Sequence, residues 1–340
     1  VLHCEKTNLV APPLPDEVSL AGTSADLQPE RFEAVITLPT FRRPEQVLAT
    51  LDSLARQKTR RPFAVIVIEN DGKDRQGAAS AMERLAVGDL PGLVIVAHQR
   101  GNCEAYNAGW AMAVAYFPNF KHLLVIDDDE VASPDWLEQM CSTAEQFGAD
   151  VVGGPVLPIF PGGVQASLTK HPIFSPHYDR TTLVPLLYGS GNLLATRRLI
   201  LGLKPPYFDP RFNFIGGGDS DLLSRIATMG FKLAWCQEAV AHETVPARRL
   251  QADWIRARSL RNGVISTLVE QKKRAAEPAG RLRVLAKSLA LLAASPFRAL
   301  AQMIGGRRPA NALYPIHVAL GRVLAEFGYV NEQYRNPEKN

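Results

Sequence analysis

Few cysteines, no long apolar run and a modest share of aromatic residues set the first limits on this 340-residue chain. Its cysteines, at positions 4, 103, 141 and 236, have neither metal-ligand nor redox spacing, and so few in a chain this long do not make a disulfide framework. No stretch resembles a signal peptide, and the expectation is a reduced, cytoplasmic protein. No run reaches the roughly 18 consecutive apolar residues that a bilayer-spanning helix needs, so no transmembrane helix is expected. What is present, 46% hydrophobic and 21% charged residues, is ordinary for a globular protein with one large domain and an appendage.

The formal net charge of +4 conceals an asymmetry. Residues 244–310 hold 14 Lys and Arg against 3 Asp and Glu, a balance of +11 that leaves −7 for the rest of the chain. A basic segment interleaved with apolar residues calls for an anionic partner. It has few aromatic side chains to stack on bases, so no nucleic-acid partner is expected, and an anionic membrane surface met through residues 247–310 is preferred. Residues 281–304 are read as two short helices split at Ser295-Pro296, a cap and a first helical residue. Arg283 and Lys287 share one face, while Leu282, Leu285, Leu289 and Leu292 fall on another. Such helices either lie on a membrane or pack on the preceding domain.

Residues 1–31 carry Pro12, Pro13, Pro15 and Pro29 with little apolar periodicity, which predicts an extended arm. From Ala34 the pattern alternates: strand 34–38 with helix 44–57, strand 64–69 with helix 77–85, strand 93–97 with helix 104–116, and strand 123–126 with helix 134–147. Four such units predict a largely parallel sheet with right-handed crossovers, an α/β fold of the nucleotide-binding type. Beyond Val151, glycines and prolines break any long element. Order returns in a strand at 191–196, a helix at 218–229 and short strands near 232–235 and 239–242. The expected division is an arm (1–31), a catalytic domain (32–246) and a basic helical region (247–340).

The fourth strand ends in acids: Leu123-Leu124-Val125-Ile126-Asp127-Asp128-Asp129. Carboxylates at the carboxyl edge of a buried strand stand where open α/β sheets build ligand crevices, and such hard oxygen donors suit Mg²⁺ or Mn²⁺. Strand alternation would send Asp127 and Asp129 to one side and Asp128 to the other. The same acids, ahead of Ser133-Pro134, could instead serve the following helix start, although a helix start needs no run of three. A second cluster, Gly216-Gly217-Gly218-Asp219-Ser220-Asp221, opens a helix behind glycines that would let a substrate approach; a plain N-cap is the other use for Asp219. Asn70-Asp71-Gly72 is either a ligand-contacting turn or simply a good turn sequence.

Taken in order, these motifs resemble the family 2 glycosyltransferases, inverting sugar-transfer enzymes with the GT-A fold, over about residues 34–243. Thr37-Leu38-Pro39-Thr40-Phe41-Arg42-Arg43-Pro44 resembles the first strand and nucleotide loop, which implies donor contacts from Pro39, Thr40 and Arg42. Glu69-Asn70-Asp71-Gly72 resembles the acidic turn after the second strand, which implies that Glu69 reads the base with Asp71 beside it. A uracil N–H suits a carboxylate acceptor, so a UDP-sugar is the expected donor. The segment from Arg100 to Gly109 resembles the Asn- and Gly-containing helix after the third strand, with the usual order reversed at Gly101-Asn102. There Arg100 is expected on a phosphate and Asn107 at the donor.

By the same resemblance Asp129 coordinates the ion and Asp127 contacts ribose or the ion's shell, with Asp128 also at the donor. The ion would act as a Lewis acid on the departing diphosphate. The segment from Gly216 to Arg225 resembles the family's Gly-Glu-Asp-x-Asp-Leu stretch, with Gly218 where Glu is usual. That implies Asp219 as general base, Gly217 and Gly218 against the donor, and Asp221 bracing the helix or Arg225. His242 falls where many members carry a metal-site histidine, a ligand better suited to Mn²⁺. Gly189-Ser190-Gly191-Asn192 resembles the sugar-pocket loop, with Asn192 at the donor. No Gln-x-x-Arg-Trp motif follows Trp235-Cys236-Gln237, so one sugar per encounter is expected.

Arg258-Ser259-Leu260-Arg261-Asn262 resembles the basic helix that follows the domain in polysaccharide-assembling members, which commonly extend lipid-linked acceptors at the cytoplasmic membrane face. The expectation is a non-processive, metal-dependent hexosyltransferase acting on a glycan or lipid-linked acceptor. Two alternatives stand beside it. Asp127-Asp128-Asp129-Glu130-Val131 also fits the Asp-x-Asp-x-Val motif of haloacid-dehalogenase-like phosphatases, although three strand-helix units precede it here. The other is a glycosyltransferase-like scaffold without catalysis, with the basic segment as its working part.

Overall fold

The computed structural model describes residues 17–162, 168–330 and 332–335. β1 (Val18–Thr23) leads into four strand-helix units: β2 (Ala34–Thr40) with α1 (Pro44–Ala55), β3 (Phe63–Glu69) with α2 (Gln76–Leu85), β4 (Gly92–Ala97) with α3 (Asn102–Tyr116), and β5 (His122–Ile126) with α4 (Trp136–Phe147). A short β6 (Glu130–Ala132) interrupts the last unit. Then follow β7 (Val151–Gly153), β8 (Val156–Ile159), β9 (Thr182–Val184), β10 (Asn192–Thr196), α5 (Arg197–Gly202), α6 (Gly218–Thr228), β11 (Leu233–Trp235) and β12 (Ala241–Thr244). Four helices complete the described chain: α7 (Ala252–Lys273), α8 (Gly280–Ile304), α9 (Pro309–Ala312) and α10 (Tyr314–Glu326).

The main sheet has nine strands in the order β1-β4-β3-β2-β5-β10-β7-β11-β9, and a second sheet is β6-β12-β8. β4, β3, β2 and β5 run parallel, whereas β10 runs antiparallel between β5 and β7. β2, β4 and β5 are buried along their whole length, as continuous apolar runs in a sheet covered on both faces should be. Side-chain alternation splits them: Val35, Ile66, Ile95 and Val125 meet Tyr106 and Trp110 of α3 on one face. On the other, Ile36, Val67, Val94 and Leu124 meet α1, α2 and α4. Each such side chain contributes about 1.5–3 kcal/mol of burial. α3 lies close to the sheet because Gly109 has no side chain; a Cβ there would stand 2.8 Å from Ile68 Cδ1. Strand order reverses at β2, so the crevice expected at such a reversal opens between the carboxyl ends of β2 and β5.

Two expectations change. Residues 1–16 of the expected arm lie outside the described residues, but residues 18–23 form a true edge strand, β1, held antiparallel to β4 by backbone pairing that apolar periodicity does not report. And α8 is one helix, not two, with Pro296 inside it. Proline removes the N–H that Leu292 O would accept; the Ser295 hydroxyl donates to that carbonyl at 2.8 Å and fills the gap. By length and composition α8 is also long and apolar enough to cross a membrane. The helices after residue 251 pack on what precedes them: Lys272 of α7 reaches Asp209 at 2.6 Å and Asp221 at 2.8 Å. Glu270 joins α7 to Lys287 of α8 and Arg322 of α10.

Asn192 is a structural amide. It accepts from Trp136 Nε1 at 2.7 Å and donates to Pro155 O at 3.0 Å and Ala239 O at 2.8 Å, so both ends of the buried group are spent on protein. Asn192→Ala would strand an indole N–H and two carbonyls, and is expected to lower unfolding stability by about 2–4 kcal/mol in a denaturant titration. Nucleotide affinity of the folded fraction should stay within about twofold, well under the tenfold that 1.4 kcal/mol of lost contact would bring.

Candidate active site

The crevice is a cavity of about 520 Å³. Strand alternation does not continue past Ile126: residues 127–130 turn back, with Glu130 N donating to Asp127 O at 3.1 Å. Asp127, Asp128, Asp129 and Glu130 therefore all line the cavity instead of dividing between two faces. Thr40 Oγ1 donates to Asp128 at 2.9 Å, and Arg43 Nη1 bridges Asp128 at 2.9 Å and Asp129 at 2.8 Å. Asp127 receives the Tyr106 hydroxyl, and its backbone N–H is directed at Glu130 Oε2, 3.3 Å away.

Burial first, then repulsion from Asp129, holds Asp127 well above the usual carboxylate range. Burial and the Asp127 charge do the same to Glu130. Burial pushes Asp128 up to about 6, against the pull of Arg43. Gly191 admits this crowding, since a Cβ there would lie 2.8 Å from Asp127 Oδ2 and overlap Glu130.

β12 brings another acid. Glu243 stands opposite Glu130 in the β12–β6 ladder and lines the cavity; His242, one residue earlier, stands opposite Val131 and does not. Alternation along the strand decides this, so Glu243 and not His242 lines the cavity beside the other acids. Glu243 is raised by burial and by Asp129, and lowered by Arg249, which pairs with it. Asp127, Asp129 and Glu243 thus offer hard oxygens from two elements, and their mutual repulsion is what a divalent cation would relieve. Among the described residues no three His, Cys, Asp or Glu side chains are already gathered closely enough to hold an ion. Positive charge comes from Arg43 and from Arg249, 3.9 Å from Asp129.

Of the sequence-derived donor residues, Pro39, Thr40, Arg42, Arg100, Asp127 and Asp128 line the cavity, as does Asp129. Arg100 lies over Phe41 at 5.1 Å and Phe214 at 5.9 Å and donates to Arg335 O. Arg42 turns to Asp71 at 2.6 Å. Glu69, Asp71, Asn107, Asn192, Gly217, Gly218, Asp219 and His242 are not in the wall. Glu69 is fully buried, its carboxylate accepting the backbone N–H groups of Asp71 and Ala78, and so shapes the turn. Asp71 caps the same turn through Lys73 N. The Asn107 amide exchanges two 2.8 Å hydrogen bonds with the Phe208 backbone. A Cβ on Gly217 would strike Ile265, and one on Gly218 would strike Cys103, so these glycines make room for neighbouring side chains.

Asp219 begins α6 half-buried, accepting from Ser220 N at 2.8 Å. It lies beside Cys103, whose thiol is raised by burial and then by the Asp219 charge. Upstream of it, Asn213 and Phe214 reach the cavity. Asp221 is buried and bound by Arg225 at 3.0 Å and Lys272.

The rest of the wall comes from residues that sequence reasoning did not select, or placed elsewhere. Arg249, Trp254, Arg258 and Arg261 belong to the basic region but line the cavity, with Trp254 stacked on Phe174. Tyr334 stands over Arg261 at 4.8 Å. Glu130, Arg43 and Glu243 each adjoin a residue that was selected. Extending the alternation of β12 by one position would have found Glu243.

The Glycosyl transferase family 2 profile matches residues 35–202. The succinoglycan biosynthesis protein ExoM of Rhizobium meliloti (strain 1021) is 30% identical over 245 residues, covering 69% of this chain and 74% of ExoM. Among solved structures, the mannosyltransferase PcManGT from Pyrobaculum calidifontis, in complex with GDP-Man and Mn²⁺, aligns with a TM-score of 0.57 at 15% identity, over 87% of this chain and 89% of that one. S. aureus TarS aligns with a TM-score of 0.48 at 14% identity, over 72% of this chain, which spans 44% of TarS. The mixed sheet with its mostly parallel centre has the GT-A fold, and the chain belongs to glycosyltransferase family 2.

Proposed function

We propose that this chain transfers one sugar, with inversion, from a nucleoside diphosphate sugar to a hydroxyl of a glycan or lipid-linked acceptor in polysaccharide assembly. Mn²⁺ or Mg²⁺ would be held by Asp127, Asp129 and Glu243. One observation carries the reading: a floor of acids faces walls bearing Arg42, Arg43, Arg100, Arg249, Arg258 and Arg261 inside a single cavity. Acids suit a divalent cation, guanidinium forks suit a diphosphate, and Phe41, already stacked by Arg100, offers a face to a planar base. The acceptor class rests on the family relationship and on the role of ExoM in succinoglycan biosynthesis. Mn²⁺ beside GDP-Man in PcManGT supports the choice of ion.

A bound divalent ion would supply Lewis-acid neutralisation of the leaving diphosphate. The arginines orient the phosphates and take up charge as the glycosidic bond breaks. Asp219 is proposed to take the acceptor proton. Asp221 is committed to Arg225 and Lys272, whereas Asp219 forms no ion pair among the described residues. An inverting displacement sets base and leaving group on opposite sides of the anomeric carbon, so Asp219 need not lie among the acids, but it has to reach the acceptor hydroxyl from the side of the cavity lined by Asn213 and Phe214. With Glu69 engaged by backbone amides, uracil selection by that carboxylate has no support. Titrating UDP against GDP in the presence of Mn²⁺ decides the base.

Asp219→Asn is expected to lower kcat by about 10²–10⁴, the usual share of a general base, with donor affinity nearly unchanged; wild-type kcat would end its role. Asp129→Ala should weaken Mn²⁺-dependent nucleotide binding by calorimetry roughly tenfold or more. Arg258→Ala tests whether the basic region serves the cavity: losing a charge-assisted contact of about 1.5–3 kcal/mol should weaken nucleotide binding by about tenfold or more without any membrane present. An unchanged dissociation constant would place Arg258 outside the donor site.

A further inference from the structure

Helix α8 carries an outward face that is apolar along its length. Leu282, Leu289, Phe297, Leu300 and Ile304 are exposed, Phe297 by 75% and Ile304 by 79%. With Ala286 and Ala293 between them, their spacing of three or four residues makes one stripe. At 1.5 Å per residue it runs for about 33 Å. The opposite face is spoken for: Val284, Ser288, Ser295 and Ala299 are buried in the protein, and Lys287 binds Glu270 at 2.9 Å. A contiguous exposed apolar stripe of this length marks an interaction surface.

What lies past its end narrows the partner. The chain turns at Gly305-Gly306 beside a cleft of about 760 Å³ whose lining includes Arg307, Arg308, Lys170 and His177. No ion pair engages Arg307, Arg308 or Lys170 among the described residues. The other end of the stripe is also basic, at Arg281 and at Arg283, the latter paired with Glu277 at 3.0 Å. A second copy docked on this face, in either direction, would set arginine against arginine, whereas an anionic bilayer meets both ends favourably. α8 is long enough to cross a membrane, but crossing would pull Ser288, Ser295 and the Lys287–Glu270 pair from their protein partners into hydrocarbon.

We propose that α8 lies in the plane of an anionic bilayer with its leucine and phenylalanine stripe in the acyl boundary, and that the cleft of Arg307, Arg308 and Lys170 receives the phosphate of an anionic lipid. The proposal goes beyond the sugar-transfer reading and does not depend on it. It would station the enzyme at the surface where a lipid-linked acceptor resides.

Co-sedimentation of the full chain with vesicles tests it, comparing phosphatidylcholine alone with phosphatidylcholine plus phosphatidylglycerol. Binding is expected to the mixed vesicles, weakening as salt rises. Phe297→Glu should abolish it, and Arg307→Gln with Arg308→Gln should cost roughly fivefold per arginine, each variant keeping wild-type thermal unfolding and nucleotide affinity. Wild-type sedimentation of Phe297→Glu, or equal binding to both vesicle types, overturns the proposal. Light scattering that shows a dimer broken by Phe297→Glu overturns it in favour of a second copy. Release from vesicles by inorganic phosphate at matched ionic strength overturns the lipid as occupant of the cleft. Nucleotide titration in parallel separates these failures from failure of the catalytic reading.

Discussion

Five carboxylates in one cavity cannot all be ionised in a low-dielectric wall without positive charge between them, and most of the site follows from that constraint. Asp127, Asp128, Asp129, Glu130 and Glu243 arrive from the turn after β5, from β6 and from β12, and burial already drives several of them toward protonation. Arg43 and Arg249 are the local answer, each pairing with more than one acid. Neighbours that could be conventional are shaped by the same crowding: position 191 has no room for a side chain, and the Tyr106 hydroxyl is directed at Asp127. A cation and a diphosphate together match this arrangement, because one answers the acids and the other answers the surrounding guanidinium groups.

Around that floor the protein spends its polar side chains on holding loops. Glu69 satisfies backbone groups of its own turn, and Asn107 and Asn192 satisfy those of segments distant in sequence, which keeps the turns after β3, before α6 and around β7 in place. Residues of these types draw attention in a sequence because they can contact ligands, and a buried backbone amide or carbonyl competes for the same lone pairs and protons. Asn192 spends both ends of its amide on protein, and Asn107 gives one donor and one acceptor to the Phe208 backbone.

The C-terminal helices join two surfaces. α7 extends the arginine wall of the cavity through Arg258 and Arg261, and α10 and Glu270 clamp α8 so that its apolar stripe faces away from the protein. The basic charge of this region is therefore divided between the cavity wall and the outer surface, and the net balance of a segment cannot say how its members are shared out.

Much of the fold was legible in the chain. The four strand-helix units fall within a few residues of their predicted bounds, because buried parallel strands must be continuous apolar runs and the helices covering them must be amphipathic. The acidic run after β5 was equally readable, since the end of an apolar strand and the acids that follow it are properties of local sequence. Less visible was any pairing that backbone atoms make alone, such as β1 on β4, and the continuation of α8 through Pro296, which rests on one serine hydroxyl. Fold class, family and the three aspartates at the end of β5 were readable from the chain alone. Tertiary structure alone decided that Glu243 and not His242 faces the acid floor, that Glu69 is consumed by its own turn, and that arginines beyond residue 247 close the cavity. The physical reason is that a side chain's direction and its competing partners are set by neighbours far away in the chain, and those neighbours exist only after folding.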